Sequence, residues 1–83
     1  MSDIQGLYLK AQFSPNNFMF HELCSLMEGV GFKFKKQKGS HKTYKHDSVY
    51  YKESILPVQD WHGKAKPYQV RQVLRLIDKY NLL

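Results

Sequence analysis

His41 follows a glycine–serine pair, Gly39-Ser40, and is flanked by Lys38 and Lys42. Glycine lets a backbone turn sharply, so this string can present an imidazole to solvent at the tip of a turn. A neutral imidazole there can take the proton from a ribose 2′-OH, while nearby ammonium groups stabilise charge on the adjacent phosphate. Gly39 and Ser40 would add backbone N–H groups and one hydroxyl aimed at that phosphate. The same residues also suit an ordinary turn that happens to carry an exposed histidine, and the string alone does not choose between the two.

The other histidines have less to offer. His21 falls one residue after an apolar position of a helical pattern and reads as a surface residue. His46 stands beside Asp47 at the end of a strand-like run, which suits a structural or an exposed role more than a catalytic one. His62, in the connection Trp61-His62-Gly63-Lys64, could fold back toward His41 as a general acid, or be a plain loop histidine. No two histidines have i, i+4 spacing, and the one cysteine, Cys24, lies within an apolar helical stripe, so metal ligation has little support. Neither is there a glycine-rich loop leading into a helix to hold a nucleotide. The sequence therefore implies no cofactor and no metal.

Charge narrows the partner. Thirteen Lys and Arg against seven Asp and Glu give a net charge of +6, and the excess is local. From Lys33 to Lys45 there are lysines at 33, 35, 36, 38, 42 and 45 and no acid. Such a segment attracts polyanions, unless it is only a solvated strand face. Lys64 and Lys66 stand at the start of a predicted helix, where free N–H groups favour phosphate; Arg71 extends that surface by one turn and, with Arg75 and Lys79, forms a basic ridge. A lone cysteine suits a reducing compartment. No apolar stretch approaches the ~20 residues of a membrane span, and no signal peptide is visible, so a cytosolic protein is expected.

The elements that must position these groups follow from periodicity. Eighty-three residues suit a single domain. Residues 1–19 read as a partly ordered N-terminal extension, with Leu7, Leu9 and Phe13 on an extended arm and Ser14-Pro15-Asn16-Asn17 as a turn. Phe20, Leu23, Cys24, Met27 and Val30 form a helical stripe that stops at Gly31. Phe32 and Phe34 alternate with Lys33 and Lys35, which predicts a strand with its rings facing inward. His41–His46 is the second strand, Asp47-Ser48 a hairpin turn and residues 49–59 the third strand, edged by Pro57. Asp60–Lys66 is a polar connection, and Pro67 opens a second helix with Val70, Val73, Leu74 and Ile77 inside. Tyr44, Tyr50, Tyr51 and Trp61 either fill the core or stack on bases, and most of them are expected in the core. The whole is an α+β arrangement, helix–three-stranded antiparallel sheet–helix, with both helices on one face.

Four spaced blocks carry a family resemblance. Gly31-Phe32, then Gln37-Lys38-Gly39-Ser40-His41 with Tyr44-Lys45-His46, then Leu56-Pro57-Val58, and last Gly63-Lys64-x-Lys66-Pro67 resemble the HicA toxin family. The resemblance runs over residues 20–83, the HicA-like domain. It implies a fold like that of double-stranded-RNA-binding domains and mRNA interferase activity without a required metal. It also implies that His41 is the essential residue, supported by Gly39 and Ser40. RNA-binding residues would then be Lys36, Lys38, Lys42, Lys64, Lys66, Arg71 and Arg75. A HicB-type antitoxin is the implied protein partner. The chain departs from many family members in having Lys42, where a second His or an Arg often follows, and Pro67-Tyr68-Gln69, where several have Pro-Gly-Thr. The rival reading is a non-catalytic RNA-binding module of the same fold.

Overall fold

A computed structural model describes residues 3–83. Its elements run α1 (Ile4–Phe13), a 3-10 turn (Pro15–Asn17), α2 (Phe20–Gly29), β1 (Lys33–Lys38), β2 (His41–Lys45), β3 (Ile55–Trp61), β4 (Lys64–Ala65) and α3 (Pro67–Lys79). The four strands form one antiparallel sheet in the order β1-β2-β3-β4. The α+β arrangement expected from the sequence is present and compatible with a double-stranded-RNA-binding-domain-like fold, with one more helix and one more strand than expected.

The core forms because the apolar stripes of α2 and α3 meet one face of the sheet. Leu23, Leu26 and Met27 of α2 join Tyr44, Leu56 and Val58 of the sheet and Val70, Val73, Leu76 and Ile77 of α3, all buried. The opposite parity of β3, Ile55 and Pro57, is exposed, so the sheet is covered on one side and open on the other. Cys24 belongs to this core, and burial pushes its thiol up, away from the reactive thiolate form.

The N-terminal segment is helical where the sequence suggested an extended arm. Its inward stripe is the partly buried Ile4, Leu7 and Tyr8 with the buried Ala11, at helical spacing, while Leu9 and Phe13 face solvent. Residues 1 and 2 of that segment lie outside the described residues. Gly29 admits this helix: a Cβ there would run into the Ile4 side chain. A glycine inside a helix costs up to ~1 kcal/mol relative to alanine, and this packing supplies its reason. Tyr8 donates to Asp78, which fastens α1 to α3.

Three further expectations change. Residues 49–54 are a looped connection before β3 and not strand, so Tyr50 and Tyr51 are exposed, and so is Trp61 on β3. Of Tyr44, Tyr50, Tyr51 and Trp61, most of which are expected in the core, Tyr44 alone is there. Phe32 is buried as expected, but Phe34 is half exposed, because β1 is an edge strand bonded only to β2. The 60–66 connection is mostly ladder: β3 continues through Trp61, turns at His62-Gly63 with both residues at positive φ, and returns as β4. The segment around Met19 flanks β4 in turn, with Phe20 N–H donating to Gly63 O and Ala65 N–H to Phe18 O, each at 3.0 Å.

Candidate active site and basic surface

The β1–β2 hairpin closes on a two-residue loop, Gly39-Ser40, between the paired residues Lys38 and His41. Gly39 takes φ +60°, the positive angle at the first loop position that matches the twist of the flanking strands. No heavy atom lies within 4 Å of where a Cβ on Gly39 would sit, so conformation and not crowding selects glycine here. His41 opens β2 and is exposed.

Register decides which residues share the His41 face. His41 pairs with Lys38 on one side and with Gln59 on the other. A bulge at Lys35 shifts β1, so that Lys36 faces Thr43 while Phe34 faces Tyr44. By alternation, Lys33, Lys36, Lys38, His41, Thr43 and Lys45 then lie on the open face, together with Ile55, Pro57, Gln59 and Trp61. Lys33 is drawn aside by Asp47, with Nζ 3.6 Å from the carboxylate. Lys42 goes the other way. Its ammonium stands 5.9 Å from both the Phe20 and the Phe34 ring centres, on the helix side of the sheet.

The turn is anchored to α3 through two glutamines. Asp60 N–H donates to Ser40 O at 2.8 Å, extending the β2–β3 ladder into the loop. Gln59 Nε2 lies 3.4 Å from Ser40 Oγ, a long hydrogen bond. On its other edge, Gln59 N–H would have no strand partner, because β4 ends at Ala65. Gln69, buried in the first turns of α3, fills that gap with Oε1 at 2.9 Å. The start of α3, with Lys66 at its N-cap, is thereby held at the same end of the sheet as the Gly39-Ser40-His41 turn. Neither glutamine was singled out from the sequence. Gln69 carried a signal, since it is a polar residue at a core position, four before Val73.

Lys64 sits opposite Trp61 on β4 and is exposed, and Lys66 Nζ stands 6.0 Å from the Trp61 ring centre. Arg71 and Arg75 project from α3 and line a shallow groove with Tyr68 and Gln72. Among the described residues, none of Lys36, Lys38, Lys42, Lys64, Lys66, Arg71 or Arg75 takes part in an ion pair; the three pairs present use Lys10, Lys33 and Lys79. The fold thus gathers His41, Lys36, Lys38, Lys64 and Lys66 at one end of the sheet. It sets Lys42 on the other face and Arg71 and Arg75 along the helix.

The remaining histidines lie apart from the turn. His46 is buried; its Nδ1 accepts from Ser48 N–H at 3.0 Å, so Nε2 is the nitrogen that donates to Val30 O, at 2.8 Å. With both nitrogens used, His46 ties the α2 terminus to the sheet. His62 occupies the β3–β4 turn at φ +54°, its ring edge-on to Trp61 at 5.2 Å. It lies three residues beyond Gln59, about 10 Å along the strand from the His41 pairing position. His21 is exposed on α2. No three His, Cys, Asp or Glu among the described residues group closely enough to hold a metal ion. No described helix is long and apolar enough to cross a membrane.

Residues 20–78 match the family model described as HicA toxin of bacterial toxin-antitoxin. No curated protein matches the chain, and no solved structure does.

Proposed function

The chain belongs to the HicA toxin family, and from that premise we propose that it is an endoribonuclease that cleaves mRNA through His41 without a metal ion. The observation that carries this reading is the anchoring of the Gly39-Ser40-His41 turn, through Gln59 and Gln69, beside the lysine-bearing start of α3. An exposed imidazole is thereby held on one sheet face with Lys36 and Lys38, and Lys64 and Lys66 stand at the same end.

In the reaction, RNA phosphates rest against these lysines. His41 takes the proton from a ribose 2′-OH, and the 2′ oxygen attacks the adjacent phosphorus. The bond from phosphorus to the 5′ oxygen breaks, and that oxygen collects a proton. The products are a 2′,3′-cyclic phosphate, open to hydrolysis to a 3′-phosphate, and a free 5′-OH. Neighbouring cations and the Gly39-Ser40 backbone stabilise charge as it builds on the phosphate. A HicB-type antitoxin neutralises the toxin by covering this face, and the compartment is the cytoplasm.

The test is induced expression of wild type and His41→Ala in a bacterium, with mapping of RNA ends. Growth arrest with new 2′,3′-cyclic phosphate ends for wild type, and neither for His41→Ala, is expected. Equal behaviour of the two forms removes His41 from the chemistry. RNA binding that survives in both, with no cleavage by either, replaces the enzyme with a binding module of the same fold.

A further inference from the structure

Three exposed features lie outside this account: the open sheet face around Ile55 and Pro57, the cleft between α1 and α2 lined by Lys10, His21 and Glu22, and the aromatic rim at the start of α3. The first two offer no group that selects an occupant. The third does. Trp61 and Tyr68 are 52% and 60% exposed, and with Lys66 and Pro67 they line one almost wholly apolar cleft. Two exposed rings on one cleft make a contiguous apolar patch, and patches, unlike single exposed rings, mark binding sites.

Their setting is specific. Trp61 stands on the same sheet face as His41, two residues past its partner Gln59, or about 7 Å along the strand. Its ring is braced by Lys66 Nζ at 6.0 Å and by the His62 ring at 5.2 Å, and still keeps half its surface open. Tyr68 is steadied at its hydroxyl, which receives the Gln69 amide at 3.2 Å. Lys64 lies directly across from Trp61. Two fixed aromatic surfaces flanked by two lysines match the composition of a single-stranded nucleic-acid site, where bases stack and ammonium groups follow the backbone. The charge favours RNA over an apolar protein segment as the occupant.

We infer that Trp61 and Tyr68 form a stacking subsite for an unpaired RNA base close to the phosphate presented to His41, which makes single-stranded RNA the preferred substrate. This rests on the RNA-directed reading above and adds the part of the substrate it recognises. A base held here restrains the neighbouring ribose, so the subsite also sets which linkage lies within reach of the imidazole.

The sole tryptophan of the chain is Trp61, so its emission reports on this subsite alone. The experiment titrates the full chain with end-labelled 2′-O-methyl RNA, which cannot be cleaved, as a single strand and as a duplex of equal length. Label anisotropy gives binding, and tryptophan emission gives stacking. Quenching that tracks the anisotropy for the single strand, with weaker binding and little quenching for the duplex, is expected. Trp61→Ala and Tyr68→Ala should each weaken single-strand binding by about 5- to 150-fold, with Trp61→Phe near wild type. Anisotropy that rises without quenching, together with wild-type affinity in Trp61→Ala, overturns the subsite and leaves RNA docking intact. An absence of binding by any form at low salt overturns the RNA reading itself. Alanine variants that keep RNA affinity but lose the antitoxin assign the rim to the protein partner and also overturn the subsite.

Discussion

The side-chain oxygen of Gln69 on α3 accepts the backbone N–H of Gln59 on β3 at 2.9 Å. This bond joins helix to sheet at the level of the Gly39-Ser40 turn, because Gln59 is also the cross-strand partner of His41. A strand edge left open by the short β4 is closed by a side chain, and the closure fixes where the basic end of α3 sits relative to the imidazole.

Gln69→Leu keeps the volume and removes the acceptor. The Gln59 N–H then loses its partner in a partly buried place, at a cost of about 1–3 kcal/mol. In a domain of this size that lowers Tm by about 5–20 °C. Gln69→Glu retains an oxygen and should lose less. Thermal unfolding, with hydrogen exchange of the Gln59 amide, checks both, and an amide equally protected in Gln69→Leu would contradict the assignment.

Gly31→Ala should destabilise by about 2–4 kcal/mol. Gly31 has φ +106°, and an added Cβ would lie 2.6 Å from His46 Nε2. The substitution therefore strains the backbone and displaces the His46 ring from Val30 O. Denaturant titration measures the loss, and a near-neutral result would show that His46 can move aside at little cost.

Stability should fall in acid partly through Glu22. Burial raises its pKa, but the Lys10 ammonium at 2.7 Å and the Met19 N–H at 3.0 Å outweigh that and hold the carboxyl below its ordinary value. A depressed folded pKa gives stability that is present above the unfolded value, about 4.3 for glutamate, and lost as pH falls through the folded value. Lys10→Met removes one of the two partners. Because Lys10 is half exposed, the difference from wild type should be under ~1 kcal/mol at pH 6 and should close toward pH 3. Urea unfolding at a series of pH values decides it, and a gap that widens in acid would reverse the sign.

The lysines should separate by face. Lys38→Gln and Lys66→Gln should each weaken RNA binding and lower the slope of log affinity against log salt by about 0.7. Lys42→Gln should leave that slope nearly unchanged. Its cost should appear as about 0.5–1 kcal/mol of stability, since its ammonium lies near Phe20 and Phe34. Binding isotherms between low and moderate salt distinguish these outcomes, and an equal slope change for Lys42→Gln would place RNA on the helix side.

Much of the architecture is legible in local order. The stripes of α2 and α3, the glycine after α2 and the lysine-rich hairpin follow from side-chain period and turn chemistry, each a property of neighbours in the chain. The elements that escaped lacked such a local mark. The stripe of α1 runs through Tyr8 and the small Ala11, while Leu9 and Phe13 are more hydrophobic and face solvent. The two-residue β4 is too short to show any period, and residues 49–54 look strand-like because they carry adjacent tyrosines.

By itself the sequence determined that an imidazole follows a Gly-Ser turn, that cations gather on both sides of it and that the blocks have the HicA order. Turn geometry and charge are set by residues close in the chain, so they do not depend on tertiary contacts. Only the tertiary structure decided which cations share the His41 face. That choice depends on a bulge at Lys35, on a two-residue loop register and on two glutamines that meet across 10 positions of sequence. A slip of one residue in a strand sends every side chain to the opposite face, and such a slip is settled by pairing between strands and not by the residues of either one.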